Sequence, residues 1–476
     1  EPSHAMFPRA PSLRVSRVAT QLRHIHNVMV DGDNFTADLP PLKFHRIDPI
    51  ETTTKSNKEE VLGYYKQLAL MRRVELVSDL LYKSQSVRGF CHLYDGQEAI
   101  CVGMEAALTK KDAIITAYRD HCTQIGRGDT PERVLAELTG KFTGCSKGKG
   151  GSMHMYLKEA NFYGGNGIVG AQLPVGTGLA FAAKYLTNLE AGGNIEAGAK
   201  SDSVSVAMFG DGASNQGQLF EAMNMAQLWK LPVIYVLENN QYGMGTAKGR
   251  ASSNPDFYQR YDNIPGIKTD GMDVHAVRDV MAFARSWCMD GNGPILVEMD
   301  TYRYHGHSMS DPGLTYRGRD EVQDVRKQRD PIDKLKKVIL DAGFAEAADL
   351  KAIDKQIRKE VPPSPPCALP PPLLSCAFAH PLSPCPSALP LSPTIAASAP
   401  PLVPVLSSAS YLSSPRRSTP PPTSPRTRPS QPTRSCTRIS SPPTPTTSIR
   451  TITVEPRPTR VLALAPATKQ HLATKK

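Results

Sequence analysis

Between Ser203 and Asn240 the chain reads SVSVAMFGDGASNQGQLFEAMNMAQLWKLPVIYVLENN. The opening run to Gly210 is apolar and β-branched over the length of one strand, and Pro232–Glu238 repeats that composition. Between them, Gln216–Trp229 spaces Phe220, Met223, Met225 and Leu228 at roughly helical intervals. Strand, helix and strand over this length make a βαβ crossover, whose two strands run parallel. Their C-terminal ends then share one edge of a sheet. Asp211 and Asn240 each follow one of those ends, so residues distant in sequence are predicted to be neighbours in space.

The body around this unit keeps alternating. Gln97–Thr109 places Ile100, Met104, Ala107 and Leu108 on one helical face, and the run at Ile114, Ile115 and Thr116 reads as a short strand. In TPERVLAELTG, Thr130 suits an N-cap, Pro131 the first turn and Gly140 the exit. The predicted fold class is α/β, a mostly parallel sheet flanked by helices. No internal repeat at a solenoid period is present.

Composition divides the chain into three. Residues 362–476 hold 28 of the 42 prolines, twelve Lys or Arg and one acid, Glu455. Frequent proline removes backbone donors, and no apolar period is present, so this tail is expected to be disordered or polyproline II. It accounts for the whole formal charge of +11; residues 31–361 sum to −3 once the first thirty (+3) are also set aside. A basic balance confined to such a tail predicts no nucleic-acid partner. Met6–Val30 carries Arg9, Arg14, Arg17 and Arg23 with no acid before Asp31, the composition of a mitochondrial transit peptide, with EPSHA read as translated leader. The plainer reading is a basic N-terminal arm. The predicted compartment is the mitochondrial matrix, and no run of about twenty apolar residues predicts a membrane span. Nine cysteines show neither a C-x-x-C pair nor zinc spacing, and Cys91, Cys101, Cys122, Cys145 and Cys288 are expected as buried free thiols.

The chemistry of the central unit follows from its residue types. Carboxylate and amide oxygens are hard ligands that suit Mg²⁺ or Ca²⁺, and one carboxylate leaves a divalent ion under-neutralised. A diphosphate would supply the missing charge. Gly210 and Gly212 let backbone N–H groups approach it beside a helix N-terminus, in the crevice outside the strand ends. GDG alone is common in turns and Asn-Asn-Gln alone reads as a loop; joined by a βαβ unit, they resemble a thiamine diphosphate signature. GCSKGKGGS, Gly144–Ser152, is the rival phosphate motif, but it lacks the G-x-x-x-x-G-K-[ST] pattern.

Six strings extend the resemblance: GFCHLYDGQEA (Gly89–Ala99), ITAYRDHC (Ile115–Cys122), KGKGGSMHMY (Lys147–Tyr156), NFYGGNGIVGAQLPVGTG (Asn161–Gly178), the central unit, and YRYHGHSMSDPG (Tyr302–Gly313). Over roughly residues 45–361 the chain resembles the alpha subunit of the first component of the pyruvate dehydrogenase complex. The resemblance implies thiamine diphosphate and Mg²⁺ as cofactors, with Asp211, Asn240 and the Tyr242 carbonyl as metal ligands. It implies cofactor contacts at Tyr118, Arg119, Gly167, Val169, Asp211, Gly212, Ala213, Asn240, Tyr242 and His307, and catalytic histidines at His92 and His307. Arg119 suits a phosphate because its planar donors can bind two oxygens at once. On residue type alone a His305/His307 metal pair stays open, without a third ligand.

The implied reaction is oxidative decarboxylation of pyruvate with transfer of the acetyl group to lipoamide, which links glycolysis to the citric acid cycle. The implied partners are a beta subunit supplying a missing glutamate in an α2β2 heterotetramer, a lipoyl-bearing dihydrolipoyl acetyltransferase core, and a dedicated kinase and phosphatase acting at Ser308, with Thr315 as a second acceptor. Ala247 stands where the family has another phosphorylated serine. Two departures are visible. Leu186–Ser203 is expected as a lengthened polar surface loop. Helical patterning stops at Val361, which reads as a frameshift or intron read-through in the gene. Alternatives are an alpha subunit acting on branched-chain 2-oxo acids or acetoin, and a proline-rich scaffold binding SH3- or WW-like domains through its tail.

Overall fold

A computed structural model of the chain describes residues 28–190, 192 and 199–363. The segment expected as a transit peptide, up to residue 27, and the tail from residue 364 lie outside the described residues. The described residues belong to one compact unit, Glu1–His380, while a second unit, Pro381–Lys476, falls wholly outside them.

The chain opens with a small antiparallel sheet of β1 (Met29–Asp31), β2 (Asn34–Asp38) and β4 (Thr53–Asn57), with β3 (Lys43–His45) leaving it for the main sheet. Met29 and Val30, placed at the end of the transit segment by composition, pair here with Thr36 and Phe35. Helix α1 (Lys58–Lys83) starts at Asn57, whose side chain accepts the Glu60 N–H at 2.9 Å while the Glu60 carboxylate accepts the Asn57 N–H at 3.4 Å, a reciprocal cap. Then follow α2 (Glu98–Ala107), β5 (Ala113–Ala117), α3 (His121–Gly126), α4 (Pro131–Leu138), β6 (Phe162–Asn166) and α5 (Gln172–Glu190). The central unit is β7 (Ser205–Gly210), α6 (Gly217–Leu228) and β8 (Val233–Asn239). A two-residue ribbon, β9 (Tyr242–Gly243) and β10 (Thr246–Ala247), leads to α7 (Lys248–Ala251), β11 (Gly266–Asp270), α8 (Val274–Met289) and β12 (Ile295–Asp300). Three helices, α9 (Arg319–Arg329), α10 (Pro331–Asp341) and α11 (Ala347–Glu360), complete the unit.

The main sheet has seven strands in the order β3-β11-β12-β8-β7-β5-β6, all parallel except the edge strand β3. Its alternation explains the layers. Val206, Met208, Ile234, Val236, Val297 and Met299 face α2 and α8, whereas Ala207, Phe209, Val233, Tyr235 and Leu237 face α5 and α6. With both faces covered, every residue of β8 is buried, as a central parallel strand requires. Each buried aliphatic side chain stabilises the sheet by about 1.5–3 kcal/mol. Helices α1, α10 and α11 form a further layer over α2, α3 and α4.

The α/β class and the crossover stand as read from sequence, and Thr130 does cap α4, accepting the Arg133 N–H at 3.3 Å. One expectation is corrected. Leu186–Glu190 was expected as loop but forms the last turns of α5, because no glycine interrupts the run before Gly192 and the Thr187 hydroxyl donates back to the Ala183 carbonyl at 2.9 Å. Residues 191 and 193–198 of that connector lie outside the described residues. The five cysteines are free; Cys145 is only half-buried, the others buried. No helix among the described residues is long and apolar enough to cross a membrane.

Candidate active site

In the β7–β8 pairing Gly210 stands opposite Glu238, so the GDG and ENN loops leave the sheet side by side. They stay together: a Cβ built on Gly243 would lie 3.3 Å from the Gly212 Cα, close enough that a side chain there would require a small shift of the facing backbone. Asp211 is 3% exposed, and its Oδ2 is buried without a hydrogen-bond partner. Asn240 Oδ1 is likewise buried and unpartnered, while its Nδ2 donates to Gln97 Oε1 at 3.1 Å. Burial pushes the Asp211 carboxyl up to about 6.

Two buried acceptors without donors each cost about 1–3 kcal/mol unless something satisfies them. A hard cation would. The third expected ligand, the Tyr242 carbonyl, lies 3.5 Å from Arg303 Nη2. Asp211 contributes the only carboxylate among the three expected ligands, so a divalent ion held by them would need further negative charge, which a diphosphate can supply. The residues fit a Mg²⁺–diphosphate pair.

Next to this site stand the histidines. His92 Nδ1 lies 2.8 Å from the His307 carbonyl and must donate to it, which leaves the Nε2 lone pair free. The His92 and His307 rings are 5.3 Å apart, and Tyr118 packs on both, at 4.3 Å and 5.5 Å. Burial, then the nearby Arg119 guanidinium, pushes His92 down to about 3 and His307 to about 4, so both rings are neutral near pH 7. Arg119, buried, directs its guanidinium to the Leu93 carbonyl at 2.8 Å and to the His307 carbonyl, bracing the two histidine loops.

The other expected contacts differ in exposure. A Cβ on Gly167 would sit 3.3 Å from His154 Nε2; Val169 is 43% exposed, Gly212 is exposed and Ala213 is buried. His305 Nδ1 pairs with Asp95 Oδ2 at 2.7 Å.

Residues 66–364 match the family described as Dehydrogenase E1 component. The chain belongs to that family. It is 56% identical over 321 residues to the mitochondrial pyruvate dehydrogenase E1 component subunit alpha-1 of Arabidopsis thaliana, which covers 67% of this chain and 79% of that protein. To the somatic-form mitochondrial alpha subunit of Bos taurus it is 50% identical over 349 residues, 73% of this chain and 84% of that protein. The Dictyostelium discoideum alpha subunit is 56% identical over 309 residues, 65% of this chain and 78% of that protein.

In this E1 chain the loop before α9 carries Ser308, buried, with its Oγ 2.8 Å from Ser310 Oγ, while Thr315 is exposed. Arg303 donates to the Met244 carbonyl at 2.8 Å and to Tyr316 Oη at 3.1 Å, joining the ribbon after Asn240 to that loop. Sequence reading missed Gln97, Arg303 and the buried polar residues behind His92, because each acts through partners far away in the chain. The E1 chain's Gly-rich loop also has its own answer: four of its N–H groups converge on Glu137 of α4, an internal carboxylate, where a phosphate was weighed.

Proposed function

We infer that this chain is the alpha subunit of a mitochondrial pyruvate dehydrogenase first component, which oxidatively decarboxylates pyruvate and passes the acetyl group to lipoamide in the matrix. The observation that supports the reading is that two buried oxygens, Asp211 Oδ2 and Asn240 Oδ1, are both without a partner on the loops that follow the paired ends of β7 and β8. Asp211, Asn240 and the Tyr242 carbonyl would hold Mg²⁺, and Gly212 and Ala213 would present backbone to the diphosphate. Thiamine diphosphate supplies, when bound, the electron sink that decarboxylation of a 2-oxo acid needs.

The protein's own part is orientation and proton management. His92, locked by its Nδ1–H on the His307 carbonyl, offers Nε2 as a neutral acceptor to the substrate. His307 faces the same space and shares the Tyr118 platform. The partners are a beta subunit in an α2β2 tetramer, a lipoyl-bearing acetyltransferase core, and a kinase and phosphatase. An apolar face with Leu189 57%, Leu228 69% and Trp229 43% exposed supports association. A phosphate on Ser308 would add about two negative charges next to His307 and disfavour a carboxylate substrate; because Ser308 is buried, modification requires that loop to open.

Co-expression with a beta subunit provides the test. Pyruvate should turn over only with thiamine diphosphate and Mg²⁺, and faster than branched-chain 2-oxo acids or acetoin. Preference for either of those would overturn the pyruvate assignment. A chain ending at Val361 should retain cofactor binding, and loss of function on removing residues 362–476 would instead favour the tail as the functional element.

A further inference from the structure

A line of buried polar contacts runs behind the histidine pair. Glu75 on α1 and His121 at the start of α3 are both fully buried, and Glu75 Oε2 lies 3.0 Å from His121 Nδ1. His121 Nε2 lies 2.8 Å from Ser152 Oγ, and Ser152 Oγ accepts the His92 backbone N–H at 3.3 Å. None of these three residues belongs to the metal, cofactor or substrate set described above. A carboxylate and an imidazole are costly to bury, and apolar side chains of similar volume would hold the same layer together at least as well. What they add over such side chains is direction.

Direction is what the contacts provide. The carboxylate can only accept, so His121 Nδ1 carries the proton and the ring cannot turn over. If His121 is neutral, Nε2 accepts the Ser152 proton; if charged, Nε2–H donates to Ser152. In both states Oγ keeps a lone pair for the His92 N–H. The four residues come from α1, α3, the Gly-rich loop and the loop before α2, so the line sets where the His92 backbone sits relative to Tyr118 and His307.

We propose that Glu75, His121 and Ser152 are positioning residues that hold His92 against Tyr118 and the His307 carbonyl, with Nε2 aimed at the 2-oxo acid. This rests on the reading of His92 as a catalytic residue, and the test separates the two. In the assembled holoenzyme with its beta subunit, Ser152→Ala, Glu75→Gln, His92→Ala and the Ser152→Ala/His92→Ala double variant are compared. The readouts are kcat, KM for pyruvate, thiamine diphosphate affinity by calorimetry and unfolding temperature. Ser152→Ala should lower kcat by about tenfold to a hundredfold while KM and cofactor affinity hold, with the modest fall in unfolding temperature expected from leaving His121 Nε2 and the His92 N–H unpaired. Glu75→Gln, whose amide oxygen still accepts the Nδ1–H, should retain most of kcat. Ser152→Ala should add no further loss in the His92→Ala background. Wild-type kcat in Ser152→Ala beside an impaired His92→Ala overturns the positioning role alone, as does a kcat loss matched by lost cofactor affinity. Wild-type turnover by His92→Ala overturns the reading of His92 and the positioning role with it.

Discussion

Asp211 and Asn240 sit where folding leaves them dissatisfied. Each keeps one buried oxygen with no donor, an arrangement that costs stability unless a bound group satisfies it. Asp211→Asn should therefore leave the unfolding temperature no lower, since it replaces a buried carboxyl by an amide, yet weaken Mg²⁺-dependent thiamine diphosphate binding by at least about tenfold. Calorimetric titration of the cofactor at fixed Mg²⁺ measures this, and unchanged affinity would remove Asp211 from the ligand set. Gln97 belongs to the same scale: its Oε1 takes the Asn240 Nδ2 proton and so leaves Oδ1 available for an ion.

At the scale of elements, the Gly-rich loop after α4 is closed by one side chain. Glu137 Oε2 accepts from the N–H groups of Ser146 and Gly148 at 2.8 and 2.9 Å, and Oε1 from those of Gly150 and Gly151 at 2.7 and 3.2 Å. Gly148, at φ +73°, makes the turn that lets these donors converge into an anion-holding nest. Replacing half of that acceptor with an amide should be costly. Glu137→Gln is expected to lose about 2–3 kcal/mol in denaturant unfolding and to be cleaved faster within residues 144–152 by added protease. Because the same loop carries Ser152, turnover should fall as well; unchanged stability and proteolysis would show that the loop holds without the carboxylate.

At the scale of the molecule, Asp270 fastens the C-terminal helices to the sheet. From the end of β11 it meets Arg329 of α9 at 2.8 Å and Lys334 of α10 at 2.7 Å. Burial by itself would raise this carboxyl, but the two cations outweigh it and hold Asp270 well below the usual carboxylate range. The sign follows: a depressed folded pKa contributes stability that is present above the unfolded value of about 3.9 and lost as pH falls below it. Asp270→Asn should therefore cost about 3–5 kcal/mol near pH 7, and the gap from wild type should narrow at about pH 3. A gap independent of pH would mean the pairing is not electrostatic.

The sequence by itself determined the α/β class, the crossover, the cap of α4 and the placement of Asp211 and Asn240 just past two strand ends at one edge of the sheet. Those features rest on periodicity and on local hydrogen bonding, which neighbouring residues decide among themselves. Only the tertiary structure decided which oxygens stay unpartnered, that Arg119 braces the His92 and His307 loops, that the Gly-rich loop encloses Glu137, and that Glu75, His121 and Ser152 line up behind His92. The physical reason is distance along the chain. Each of those contacts joins side chains from elements that the sheet order brings together, and no local propensity encodes that order.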